Sequence, residues 1–196
     1  MWLQREAAAA GGHVDALLGN HDLLIVSARR FGGRLLADWR RNCGVMADLR
    51  GLSARHADWL TARPAMAVAG DHLLLHTDAT FYELFGETPE QVNSALAALV
   101  DDGNRGDWDD LLGLFSERRA FDESSTGGAE RAAHILRRYG ARRLVHGHTP
   151  ISYVNGAAPK DVSVPLVYAD GLCVNVDGGM YLDGPRVIYR IDASQS

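Results

Sequence analysis

Apolar and polar positions along this chain fall into short blocks that read as helices and strands in turn. Residues 14–18 are apolar apart from Asp15, and Gly19-Asn20-His21-Asp22 ends the run at once. That is the pattern of a buried strand delivering polar side chains to the carboxyl edge of a sheet, although Gly-Asn alone also reads as a turn. Before it, residues 2–10 favour a helix stopped by Gly11-Gly12. After it, residues 23–39 read as helix interrupted at Gly32-Gly33, and residues 52–60 as a short helix with Ser53 as cap. Residues 67–69 and 72–75 read as two strands joined at Gly70-Asp71, a favoured hairpin turn.

The second half continues in the same style. Thr88-Pro89-Glu90-Gln91 is a helix start, with a Thr cap, Pro at the first position and an acidic first turn. Val92, Leu96 and Leu99 share one face of that helix, which stops near Gly103. Residues 107–115 and 129–139 are expected to be helical, 121–128 a loop and 151–165 irregular. Residues 143–145, 172–176 and 186–191 are expected strands.

Composition narrows the class. At 196 residues the chain is expected to form one domain, and its 46% apolar and 23% charged content is that of a globular protein. A net charge of −5 argues against non-specific nucleic-acid binding, which rewards clustered positive charge. Lys160 is the sole lysine, and Cys43 and Cys173 match no metal spacing and suggest a reducing compartment. No apolar run is long enough for a bilayer, and the start lacks a signal pattern, so the cytoplasm is the default and no membrane partner is expected.

Three apolar strands each end in a polar knot: Gly19-Asn20-His21-Asp22, His76-Thr77-Asp78 and Gly147-His148-Thr149-Pro150. Asp177-Gly178-Gly179 is a weaker fourth that also reads as a strand-ending turn. Strand ends of one polarity lie together in a sheet, so these knots are candidates to converge. Imidazole nitrogen and amide oxygen are competent ligands for Mn, Fe or Zn, and a metal-bound water is a nucleophile at neutral pH. His146 reads as capping its strand or supporting the site from behind, Asp78 is a supporting acid or a turn acid, and His72 and His134 read as surface residues. Taken singly, His76 also reads as a core histidine, Arg118 and Arg119 as solvated, and Trp108 as core or lid packing.

In order and spacing, GNHD, a strand-end histidine and GHTP resemble the calcineurin-like metallophosphoesterases, specifically the bacterial phosphoprotein-phosphatase-type branch. The resemblance implies an α/β sandwich of two mixed sheets flanked by helices. It implies metal ligands Asn20, His76 and His148, His21 as the general acid, and Arg118 and Arg119 as candidate phosphate-binding residues. Two divalent ions are implied in a complete enzyme, manganese first with iron or zinc as alternatives. The substrate would be a phosphorylated protein, or a small phosphoester or nucleotide. Pro150 stands where the wider superfamily has a further histidine, which favours the phosphatase-type branch.

One departure limits this. The family's opening Asp-x-His strand and its GDxxDRG motif, which hold the first metal and bridge both, have no counterpart here. His13 and Asp15 lie on the run leading into Gly19, and their spacing suits neither motif. The expectation is therefore a sandwich lacking its first strand or strands, N-terminally incomplete, with weak metal binding and impaired hydrolysis. The alternatives are a non-catalytic binding module and a dinucleoside-polyphosphate hydrolase.

Overall fold

The structure, a computed structural model, describes residues 1–122 and 126–191. Residues 123–125 of the expected 121–128 loop lie outside this range. The chain parts into two compact units, Met1–Pro64 with Ala97–Leu112, and Ala65–Leu96 with Gly113–Ser196.

The first unit is helical. It contains α1 (Trp2–Ala9), α2 (Asn20–Phe31), α3 (Gly33–Arg41), α4 (Met46–Gly51) and α5 (Ala54–Thr61), with the end of α6 (Pro89–Asp102) and most of α7 (Arg105–Leu114). The expected break between α2 and α3 is made by Gly32, whose φ of 60° and ψ of −150° suit only a residue without Cβ. Ser53 caps α5 as expected, its Oγ accepting from the His56 amide at 3.1 Å. Leu23, Leu35, Trp39 and Trp108 fill the unit's core. Arg30 donates to the carbonyls of Val100 at 2.8 Å and Asp101 at 3.0 Å, satisfying oxygens that the end of α6 leaves open.

The expected strand at residues 14–18 does not form. One backbone bond, Leu18 N–H to the Pro64 carbonyl at 2.9 Å, ties this segment to a neighbour. Pro64 has no N–H with which to return it, so no ladder can start there. The polar residues that follow open α2 instead.

The second unit carries a five-stranded mixed sheet in the order β1-β2-β3-β5-β4: β1 (Met66–Ala69), β2 (His72–Leu75), β3 (Arg143–His146), β4 (Leu166–Tyr168) and β5 (Cys173–Asn175). β1 and β2 make the expected hairpin, Ala69 opposite His72, with Gly70 at φ +59° in the two-residue loop. β2, β3 and β5 run parallel at the centre, and the edge strands β1 and β4 run antiparallel to their neighbours. Parallel strands covered on both faces are apolar throughout, and Leu73, Leu144, Cys173 and Val174 are fully buried. α8 (Gly128–Arg138) turns Ala132, Ile135 and Leu136 inward at helical spacing. α9 (Ile151–Asn155) is a short helix within the stretch expected to be irregular.

The fold is thus α/β with one mixed sheet among the described residues, in place of the two expected. Residues 186–191 form no strand, and Tyr189 is tied by its side chain alone, to Arg143 at 2.9 Å and His72 at 3.3 Å. His72 is correspondingly not a surface residue: it is 9% exposed and pairs with Asp71 at 2.7 Å. His134 is exposed as expected and pairs with Glu83 at 3.0 Å. Among the described residues no helix is long and apolar enough to cross a membrane.

Candidate active site

The three central strands end on one edge of the sheet, and two of the polar knots meet there. His76 follows β2 and His148 follows the adjacent, parallel β3, and their ring centroids are 4.7 Å apart at 62°. The Gly147 amide donates to the His76 carbonyl at 3.2 Å and locks the two strand ends together. Phe115 stacks on His76, centroids 6.4 Å apart. His148 has φ +68°, a left-handed conformation that a side chain rarely adopts and that the surroundings must hold. Buried Asn175 at the end of β5 does so. Its Nδ2 donates to the Thr149 carbonyl at 2.8 Å, and its Oδ1 accepts from the Asp177 amide at 2.8 Å. The Ile151 amide then donates to the Asp177 carbonyl at 2.9 Å, and the Gly179 amide to Asp177 Oδ1 at 2.9 Å. Asp177-Gly178-Gly179 is therefore a strand-ending turn that braces the GHTP loop.

Directly beneath lies a buried polar brace. The Tyr168 hydroxyl lies 2.7 Å from His146 Nε2 and 3.1 Å from Asp78 Oδ2; His146 and Asp78 are buried and Tyr168 is half-buried. His146 Nδ1 lies 2.9 Å from the Gly147 carbonyl, which can only accept, so the proton sits on Nδ1 and Nε2 faces the phenol. Burial holds the His146 ring below the ordinary imidazole value, against the opposing pull of Asp78, the Gly147 carbonyl and Asp177. Burial, and then the charge of Asp78, push the Tyr168 phenol far up and the Cys173 thiol up to about 12, which leaves that thiol inert. His146 and Asp78 thus share one buried cluster through the Tyr168 hydroxyl, at the end of β3 and just after β2. Sequence reasoning missed Tyr168 and Asn175. Their one signal is a polar or amphipathic residue closing a short apolar run.

The arginine segment is anchored to the end of β2. Thr77 Oγ1 donates to the Glu117 carbonyl at 2.6 Å, Thr80 donates twice to Glu117 Oε1 at 3.3 Å, and the Ala120 amide donates to the Asp78 carbonyl at 3.1 Å. Arg119, at φ +64°, is engaged by buried Asp122, with Nε to Oδ2 at 2.7 Å and a second contact at 2.7 Å. Arg118 is exposed, with its Nε 3.5 Å from the Ser116 carbonyl. The carboxylate already holds Arg119 by one edge, so Arg118 is the better placed of the two to meet a phosphate from solvent.

Asn20 and His21 stand in the first unit, as the first two residues of α2 rather than beyond a strand. Asn20 is buried and His21 exposed. Asp22 folds back so that its Oδ2 accepts from the Gly19 amide at 2.9 Å, satisfying one of the orphan N–H groups of the helix start. Its pKa is raised by burial, against the Gly19 N–H and His21. An acid three residues after Gly19 was the available sign of a helix start.

The donor set can be tested against the implied metals. In the second unit His76 and His148 offer two imidazoles at a spacing that two rings on a common ion can span. Among the described residues no three of His, Cys, Asp and Glu gather as a ligand group, and a two-ion centre calls for more protein ligands than two imidazoles. The pair fits part of the shell of one ion and does not fit two.

No protein-family model and no curated protein matches the sequence. Two solved structures do, one of a cold-active protein tyrosine phosphatase and one of a point mutant of a cold-active protein tyrosine phosphatase. Each is 21% identical with a TM-score of 0.64 and matches over 94% of this chain, and over 54% and 55% of their own lengths. The chain therefore spans about half the length of the structures it matches. What this likeness establishes is the fold: an α/β architecture, carried by this chain's mixed five-stranded sheet and flanking helices.

Proposed function

We propose that this chain belongs to a phosphoester hydrolase and receives the phosphoryl group at the His76–His148 pair. The observation that carries the reading is that these two rings, singled out by motif order alone, stand together at the carboxyl edge of adjacent parallel strands. The likeness to phosphatase structures supports it. The substrate is a phosphorylated protein or a small phosphoester or nucleotide.

Hydrolysis moves a phosphoryl group from an ester oxygen to water, so the phosphoryl oxygens need positive or donor groups and the leaving oxygen needs a proton. Arg118 meets the first need with an exposed guanidinium, and Arg119, held by Asp122, adds charge beside it. His21 keeps the role of proton donor and Asn20 that of a further metal donor on the strength of the GNHD motif. When bound, one divalent ion, manganese first, supplies Lewis acidity and a more acidic water. His76 and His148 would hold it, and their poses are set by Gly147, Asn175 and the brace below.

The absence of a gathered ligand trio among the described residues favours a second reading, a binding module for a phosphorylated partner that does not turn it over. Hydrolysis of an aryl phosphate with Mn²⁺, measured beside His148→Ala, separates the two. Turnover lost in that variant supports the enzyme, and no turnover in the unaltered chain supports the module.

A further inference from the structure

A groove of about 480 Å³ opens beside the GHTP loop, lined by Gly147, Val176, Met180, Tyr181, Pro185 and Val187, with Asp177 and Arg186 as its charged members. Its outer rim is a closed turn. The Leu182 and Gly184 amides donate to the Gly179 carbonyl at 2.8 and 3.0 Å. The backbones of Gly178 and of Gly184-Pro185 approach so closely that a Cβ on either glycine would strike the other turn's carbonyl. This turn holds two large apolar side chains out in solvent, Met180 at 59% and Tyr181 at 69% exposure. The Tyr181 hydroxyl donates to that of Tyr153, an exposed residue of α9, at 3.4 Å. Arg118 acts electrostatically on Tyr181 from the neighbouring loop.

Apolar side chains exposed on a braced turn do little for the fold, and these share their groove with Gly147, the residue before His148. They suit a ligand that reaches the His76–His148 pair with its polar end and lies along the groove with its apolar end. A flat ring gains from the face of Tyr181 and the thioether of Met180, and a short aliphatic chain gains little. We propose that the groove takes the aromatic group of an aryl phosphate ester, with Tyr181 and Met180 as its specificity-determining residues. This rests on the phosphoryl site assigned above.

The test is equilibrium binding to the full chain, followed by NMR, of inorganic phosphate, methylphosphonate and phenylphosphonate, none of which requires turnover. The expected result is phenylphosphonate binding roughly ten-fold tighter than methylphosphonate, a ring contact's usual worth. Tyr181→Ala should bring that ratio close to one and leave phosphate binding unchanged, and Met180→Ser should lower it in part. Both side chains are exposed, so an unchanged amide spectrum verifies folding. His148→Ala should weaken all three ligands alike and keep the ratio. A peptide carrying a non-hydrolysable phosphotyrosine mimic, run beside phenylphosphonate, tells a protein-borne aryl group from a small one, and either preference supports the groove. Equal affinity for the two phosphonates with phosphate still bound would overturn the groove and leave the phosphoryl site standing. No binding of any of the three would overturn both.

Discussion

Removing one hydroxyl from the brace under the histidine pair should cost more than its size suggests. Tyr168→Phe removes the one phenol proton that faces two acceptors, His146 Nε2 at 2.7 Å and Asp78 Oδ2 at 3.1 Å, in side chains only 2% and 3% exposed, so whichever of them it serves is left unsatisfied. A buried polar group left unsatisfied costs about 1–3 kcal/mol. Losing the phenol also removes the cost of burying it, which offsets part of that sum. The expected net destabilisation is therefore about 2 kcal/mol, roughly a thirty-fold shift in the folded-to-unfolded ratio. All four tryptophans lie in the first unit, so tryptophan fluorescence is a poor reporter of the sheet. Native-state hydrogen exchange is the suitable assay. The Leu144 amide bonds to the Leu172 carbonyl at 2.8 Å and the Val176 amide to the His146 carbonyl at 2.9 Å, so both report opening around β3 and β5. Their exchange should speed up by about thirty-fold. Tyr153→Phe, which alters an exposed hydroxyl, should leave them within about 0.5 kcal/mol. A change below about 0.5 kcal/mol in Tyr168→Phe would refute the brace.

Two further outcomes follow from the same region. Since burial lowers the pKa of His146, the unfolded chain takes up a proton below about pH 6.5 that the folded chain resists. This contribution to stability is whole above that pH and is lost as the pH falls, so urea midpoints measured from pH 7.5 to 5 should decline; a flat profile would count against a buried neutral imidazole. In imidazole NMR spectra, substoichiometric Mn²⁺ should broaden His76 and His148 together, ahead of exposed His13 and His134; broadening that begins at the exposed rings would dismiss the pair as a metal site.

Much of the sheet's central edge could be anticipated, because local chemistry and tertiary packing agree there. Gly70-Asp71 suits a two-residue hairpin, and the hairpin forms with Ala69 opposite His72. His76 and His148 both close apolar strands, and parallel neighbours bring such ends to one edge. Where tertiary partners decide, the pattern misleads. Residues 14–18 have the apolar content of a strand and no ladder to join, since Pro64 cannot donate in return. β4 is the converse, a three-residue strand after Pro165 that exists through pairing of Leu166–Tyr168 with β5. Because that strand was invisible, so was Tyr168, and with it the brace. His72 read as a surface residue because neither Asp71 nor Tyr189 could be seen to enclose it.

The central claim is that the His76–His148 pair is where a phosphoester is received and cleaved. Its most direct measurement is steady-state hydrolysis of phenyl phosphate with Mn²⁺ by the unaltered chain, His148→Ala and His21→Ala, each verified as folded. The expectation is measurable turnover in the unaltered chain that falls at least about a hundred-fold in both variants, the range that loss of a positioned acid or of metal binding commands. Turnover that ignores both substitutions, or none in the unaltered chain, would contradict it.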